Sequence, residues 1–94
     1  MKLFFVRIEL HNATASDYDK LHELMRIDYN RSVLGHDGTR YKLPTAEYVA
    51  EMDDSVHPSI VLGHVQGLVR QVGKKAWILV SRADIAAFDL DPDK

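Results

Sequence analysis

Three side chains in the first quarter of the chain could carry acid–base chemistry. Glu9 and His11 stand two positions apart at the end of an apolar run, and His22 follows in a predicted helix. A histidine with a pKa near its ordinary value of about 6.5 can take a proton from a ribose 2′-hydroxyl, which starts metal-free RNA cleavage. Glu9, His11 and His22 are therefore the candidate catalytic residues. The alternative is structural, with His11 bonding loop backbone and His22 packing at the sheet edge.

No metal site and no cofactor is expected from the sequence. The chain has no cysteine, so thiolate ligands are excluded. His11 and His22 also lack the i, i+4 spacing that places two histidines on one helical face around a zinc ion. Any RNA chemistry would then depend on the side chains alone.

A second set of residues could bind single-stranded RNA. Arg31, Arg40 and Lys42 flank a predicted hairpin that contains Tyr41, with Tyr48 close by in the sequence. Basic side chains beside aromatic rings are typical of surfaces that bind unpaired bases. The alternative is a charged strand edge that prevents aggregation. The net charge of -2 lacks the basic excess of proteins that bind nucleic acid through its backbone, so no DNA binding is expected.

The hydropathy pattern predicts the elements that would position these residues. The order is a strand over 2–10, a helix from Ser16 to about Tyr29 or Asn30, strands over 31–34 and 39–43, a second helix and a last strand over 74–82. The third strand is expected to continue, bent at Pro44, through residues 46–52. The second helix starts between Ser55 and Pro58, and Gly73 ends it. This order predicts one α+β domain over residues 1–94, a ferredoxin-like split βαβ (βαββαβ) fold with a four-stranded antiparallel sheet and two helices on one face.

The first strand is apolar on both of its faces near its start. The even-numbered row from Phe4 to Leu10 suits a core under the helices, while Leu3 and Phe5 lie on the opposite face. Trp77 and Leu79 of the last strand fall on that same open face. An apolar patch of this kind favours an interface, so Leu3, Phe5, Trp77 and Leu79 predict a homodimer. The alternative is that the tail, from about residue 83, folds back over the patch through Ile85, Phe88 and Leu90.

The sequence also indicates where in the cell the protein is expected. No apolar run approaches the roughly 20 residues that a membrane-spanning helix needs. The first strand carries Arg7 and Glu9 and leads to no cleavage site, which is unlike a signal peptide. The sequence therefore predicts a cytoplasmic protein that does not bind membranes.

Three segments carry a resemblance to a known family. VRIELHNATASDYDKLHELM (6–25), YKLPTAEY (41–48) and WILVS (77–81) together resemble the GhoS family of bacterial antitoxins. Members of that family belong to type V toxin–antitoxin systems and are described as endoribonucleases that cut the toxin messenger RNA. The resemblance implies the same activity here, with messenger RNA as the partner. It also implies a ferredoxin-like fold close to that of the small CRISPR adaptation nucleases, which form dimers through their sheets.

One departure from those nucleases bears on the mechanism. They carry a metal-binding aspartate at the end of the first strand, whereas this chain has Glu9, His11 and Asn12 there and no aspartate. A second hypothesis therefore stays open, in which the chain is a non-catalytic dimeric interaction module of the same fold.

Overall fold

The central strand of the sheet is also the first in the chain. The structure, a computed structural model, describes residues 1–93. Its elements are β1 (Lys2–Leu10), α1 (Ala15–Met25), β2 (Ser32–Leu34), β3 (Arg40–Lys42), β4 (Glu47–Met52), α2 (Pro58–Arg70) and β5 (Ala76–Ala83). β1 pairs antiparallel with β4 on one side and with β5 on the other. The main sheet thus has three strands in the order β4-β1-β5.

Both helices cover the same face of this sheet, as the alternating pattern predicts. The core consists of the even-numbered row of β1, the inward side chains of both helices, and Tyr29, Tyr48, Ala50 and Val72. From the helices come Leu21 and Met25 of α1 and Val61, Val65 and Val69 of α2. Ala76, Ile78 and Val80 of β5 pack against the same core from its margin. The apolar side chains of the helices and those of the strands therefore pack together in one layer between the helices and the sheet.

The start of α1 differs from the sequence prediction by two residues. Thr14, not Ser16, is the N-cap, because its hydroxyl accepts from the Asp17 N–H while the Asp17 carboxylate accepts from the Thr14 N–H at 2.9 Å. This reciprocal capping box satisfies two backbone donors at once. The helix also ends at Met25, before the predicted Tyr29 or Asn30, because the chain must turn there for Asn30 to bridge to Val49 on β4.

The start of α2 agrees with the prediction, whereas the helix ends at Arg70, three residues before Gly73. His57 is the N-cap, and its ring Nδ1 accepts from the Ser59 N–H at 3.1 Å. Pro58 occupies the first turn, where its missing N–H costs nothing. After the helix, Gly73 adopts a φ of 81°, the left-handed conformation expected of a residue that ends a helix.

The prediction of a four-stranded sheet is wrong. β2 and β3 form a separate two-stranded sheet, closed by a turn in which Gly38 has a φ of 81°. The predicted continuation of the third strand into β4 is broken, because Pro44 lacks a ladder donor and Ala46 adopts a φ of 62°. A left-handed residue redirects the chain, so β3 leaves the main sheet. Asn30, just before the hairpin, still forms a backbone bridge to Val49 of β4.

This displaced hairpin covers part of the open face. Val33 of β2, Leu43 after β3 and Val49 of β4 form a second, smaller apolar cluster. Leu3 and Phe5 of β1 pack against it, and Leu90 of the tail joins them. The chain's own hairpin therefore covers Leu3 and Phe5, with one residue of the tail contributing.

The tail runs beside the hairpin instead of over Trp77. The Lys42 N–H donates to the Asp91 carbonyl at 2.9 Å, and the Asp93 N–H donates to the Arg40 carbonyl at 3.0 Å. A bridge between Tyr41 and Pro92 lies between these two bonds. The tail thus extends the hairpin by a short third segment and satisfies the outer edge of β3.

Candidate functional site

The best-defined polar site joins α1 to β4. Nδ1 of His22 lies 2.6 Å from the hydroxyl of Tyr48, so the two side chains share a hydrogen bond. Tyr48 is fully buried, and burial raises the pKa of its hydroxyl to about 12. The His22 ring is half-buried, and this desolvation lowers its pKa below the usual 6.5. At neutral pH both side chains are therefore uncharged.

Arg31 lies close enough to influence both members of this pair. After burial, its positive charge is the next cause of the lowered pKa of His22, because a cation disfavours a second one nearby. The same charge partly offsets the effect of burial on the pKa of Tyr48. The structure thus brings together His22, a candidate catalytic residue, and Arg31, a candidate RNA-binding residue.

The other two candidate catalytic residues lie elsewhere. His11 packs edge-on against Trp77 of β5, with ring centroids 4.8 Å apart. Glu9 is the direct cross-strand partner of the same tryptophan. His22 instead contacts β4, on the opposite side of β1 and on the helix-covered face. Glu9 and His11 therefore share a location with each other and not with His22.

The environment of His11 is apolar as well as aromatic. Its Nε2 is buried and has no hydrogen-bond partner among residues 1–93. Its backbone N–H continues the ladder by donating to the Lys75 carbonyl at 2.8 Å. The ring is therefore held by its packing against Trp77, and its buried Nε2 is not open to a substrate.

The three predicted RNA-binding residues make different contacts. Arg40 folds back over its own hairpin, where Nε donates to the Ser32 hydroxyl at 2.9 Å and Nη2 donates to the Ser32 carbonyl at 3.1 Å. Lys42 is exposed, and its backbone lies beside the tail. Arg31 lies near enough to His22 for its charge to lower the pKa of that histidine. Ser32, the neighbour of Arg31 in the chain, is thus bonded to Arg40 and pairs across the hairpin with Lys42, and RNA binding by these three cations stays a prediction.

A second histidine–tyrosine pair was not predicted. Tyr29 is buried, and its hydroxyl lies 2.9 Å from Nδ1 of His64 on α2, with the two rings stacked. Nε2 of the same ring lies 3.7 Å from an Asp28 carboxylate oxygen. Burial raises the pKa of Tyr29 to about 12, so this hydroxyl is no nucleophile at neutral pH. No local pattern reveals such a contact, because its partners lie far apart in the sequence.

The open face keeps one large apolar area. Trp77 is 69% exposed and Leu79 is 65% exposed, both on the odd-numbered row of β5. Beside them lies a cleft of about 360 Å³ between β1, the hairpin and the tail. Its wall includes Phe5, Leu79, Ser81 and the tail residue Phe88. Of the four predicted interface residues, the structure therefore covers Leu3 and Phe5 in part and leaves Trp77 and Leu79 free.

Two further features bear on function. Within residues 1–93, no three histidine or acidic side chains gather where they could hold a metal ion. Over the same residues, no helix has the length and apolar character that crossing a membrane requires.

The sequence was compared with protein families and with curated proteins. No protein-family model matches the chain, and no curated protein matches it. The resemblance to the GhoS family therefore stays a prediction from the sequence.

Proposed function

We propose that this protein is a non-enzymatic interaction module that acts as a homodimer. The observation that carries the proposal is the exposure of Trp77 and Leu79, side by side on the open face of β5. Large apolar side chains that share one patch are typical of protein interfaces, where tryptophan is enriched. Two other exposed apolar side chains lie outside this patch, Ile27 shortly after α1 and Ile60 within α2.

The arrangement of the polar residues supports this proposal over a catalytic one. Catalysis requires a base, an acid and a substrate-binding group around one reacting atom. Here Glu9 and His11 are neighbours of Trp77 on β5. His22 instead bonds to Tyr48 on β4, and Arg40 bonds to Ser32. The candidate residues are thus held by separate structural contacts.

The experiment is a mass measurement by light scattering or sedimentation over a wide range of protein concentration. The parent chain is expected to be a dimer, and Trp77→Arg is expected to be a monomer with an unchanged circular dichroism spectrum. Ile27→Arg is the matched control, since it places the same charge at an exposed apolar residue outside the patch. A parent chain that is monomeric at every concentration would refute the proposal.

A GhoS-type endoribonuclease is the second candidate function. One observation favours it: a half-exposed, neutral His22 lies near the cation of Arg31, and a neutral imidazole can act as a base while a cation holds phosphate. The strand order β4-β1-β5 with both helices on one face also suits a ferredoxin-like relative whose second strand has left the sheet. In this reading the protein is a cytoplasmic antitoxin and its substrate is messenger RNA.

Cleavage of unstructured RNA by purified protein tests this second candidate. His22→Ala and Arg31→Ala are expected to abolish cleavage, while His36→Ala, in the exposed hairpin loop, is expected to retain it. Cleavage that is equal in all variants would come from a contaminating nuclease. If the parent does not cleave RNA, the endoribonuclease is refuted and the interaction module remains as the proposed function.

A further inference from the structure

The outer edge of β5 has the backbone of a strand that lacks its neighbour. The Ile8 N–H donates to the Ala46 carbonyl on the β4 side, and the His11 N–H donates to the Lys75 carbonyl on the β5 side. Since hydrogen-bonded and non-hydrogen-bonded pairs alternate, Ile8 and Ile78 form a non-hydrogen-bonded pair. The N–H and C=O groups of Ile78 and Val80 therefore point away from β1, and no backbone of residues 1–93 pairs with them.

One feature of this edge opposes pairing with another strand, the charged Arg82 near its end, on the helix-covered row. Natural edge strands are short, or carry inward charges, proline or a bulge. β5 has eight residues, AWILVSRA, without proline, and Arg82 is its one charged residue. Of the two edge strands of the main sheet, β5 is the longer, with eight residues against six in β4.

We propose that two copies of this chain pair through β5, antiparallel, and so join their main sheets into one continuous sheet. This deepens the proposed homodimer by naming its interface, and it rests on that proposed function. In an antiparallel pair, two residues that lie directly opposite each other point to the same face of the sheet. An odd-numbered residue of β5 must therefore lie opposite an odd-numbered residue of the partner, and an even-numbered one opposite an even-numbered one. This condition holds only if the two-fold axis passes through a residue. The strand allows two nearly complete overlaps, centred on Leu79 or on Val80.

Charge selects the overlap centred on Leu79. In that register Lys74 lies opposite the partner's Asp84, at both ends of the paired strands. The strand begins after two lysines, Lys74 and Lys75, and ends before Asp84, so antiparallel pairing joins opposite charges while parallel pairing would join like ones. Within residues 1–93, Lys74 donates to the Asn12 carbonyl at 3.2 Å and lies 3.8 Å from Asp17, while Asp84 is paired with Lys2.

The same register gives Trp77 a place to bind. It lies opposite the partner's Ser81, a small residue whose side chain forms part of the cleft of about 360 Å³. Phe5, the cross-strand neighbour of Ser81, lines the same cleft. The indole would cross over the serine and pack on Phe5 and Leu79, which removes the largest exposed aromatic surface from water.

A charge exchange tests this interface. Lys74→Glu and Asp84→Lys each place like charges opposite one another, and each is expected to raise the dimer dissociation constant about five- to tenfold at low salt. The double variant restores opposite charges across the axis and is expected to recover most of that loss. Recovery cannot come from contacts within one chain, because the double variant still has like charges beside both Asp17 and Lys2.

Tryptophan fluorescence gives an independent readout, since Trp77 is the only tryptophan in the chain. Its emission is expected to shift to shorter wavelength as the measured mass rises from monomer to dimer. Leu79→Lys, which places two ammonium groups at the axis, is expected to keep the protein monomeric and the emission unshifted. Leu34→Lys, at an exposed leucine of the hairpin, is the control and is expected to dimerise.

The outcomes separate this interface from the proposed function. A parent that never dimerises refutes both. A dimer that forms equally well with Leu79→Lys, or whose double charge variant shows no recovery, refutes the β5 pairing and leaves the homodimer in place through another surface.

Discussion

The hydroxyl of Tyr48 and the ring of His22 are joined by a hydrogen bond of 2.6 Å between a buried strand and the side of a helix. Tyr48 lies in the core directly opposite Val6 of β1. The bond therefore gives a buried hydroxyl its partner and fixes α1 against β4. It also places a titratable group where its charge is disfavoured.

Acid should weaken the fold through His22. Because its pKa is lowered in the folded state, the unfolded chain binds the proton more readily. This contribution to stability is complete above about pH 6.5, the unfolded value, and is lost as the pH falls through the lower folded value. In urea unfolding between pH 7.5 and pH 5.5, His22→Gln should show a smaller loss of stability than the parent. His36→Gln, in the exposed loop, should behave as the parent does, and equal pH dependence in all three proteins would contradict the effect.

Arg40 should matter for stability more than Lys42 does. Replacing Arg40 by alanine removes both donors from Ser32, whose side chain is only 9% exposed. Leaving a buried oxygen without a donor costs about 1–3 kcal/mol. Lys42→Ala removes an exposed side chain and should change the free energy of unfolding by less than about 0.5 kcal/mol. Chemical denaturation of both variants provides the comparison, and similar values would mean that the Arg40–Ser32 contact contributes little.

The hairpin should depend on its small apolar cluster. Leu43 is 7% exposed and packs with Val33 and Val49. Leu43→Ala should destabilise the protein by about 2–3 kcal/mol, as for other buried leucines. Leu34→Ala, at a leucine that is 56% exposed, should have little effect. Hydrogen exchange would locate the loss: faster exchange confined to β2 and β3 is expected, and unchanged protection there would argue against the cluster.

Two glycines should respond to alanine with opposite signs. Gly73 has a φ of 81°, where a Cβ is strained, so Gly73→Ala should cost about 1 kcal/mol or more. Gly63 lies within α2, and a Cβ there would meet no atom within 4 Å. Gly63→Ala should therefore stabilise the protein by about 0.5–1 kcal/mol. Thermal unfolding would give the signs, and a neutral Gly73→Ala would mean that the end of the helix relaxes easily.

The sequence predicted those parts of the fold that depend on local pattern. The even-numbered row of β1 follows from spacing, and the left-handed conformation of Gly73 follows from the conformational freedom of glycine. The departure of β3 from the sheet depends on Ala46 in a left-handed conformation, and alanine gives no warning of that. Pro44 indicated a bend, but not its direction.

The candidate site was predicted less well, for a related reason. A residue's type shows what chemistry it can do, whereas its neighbours decide whether that chemistry is accessible. His11 and His22 look alike in the sequence, yet one packs against Trp77 and the other bonds to Tyr48. Tyr48 lies beyond both the hairpin and its turn, so only the tertiary fold brings it to α1.

The strand order has a consequence for how the chain is made. β1 precedes both of its neighbours, pairing Lys2 with Met52 and Leu3 with Ala83. During translation the apolar row of β1 therefore stays unpaired until β4, and then β5, has been synthesised. Long sequence separations of this kind slow folding and leave apolar segments exposed to chaperones or to neighbouring chains. The nascent chain is thus most vulnerable to aggregation just before β5 emerges from the ribosome.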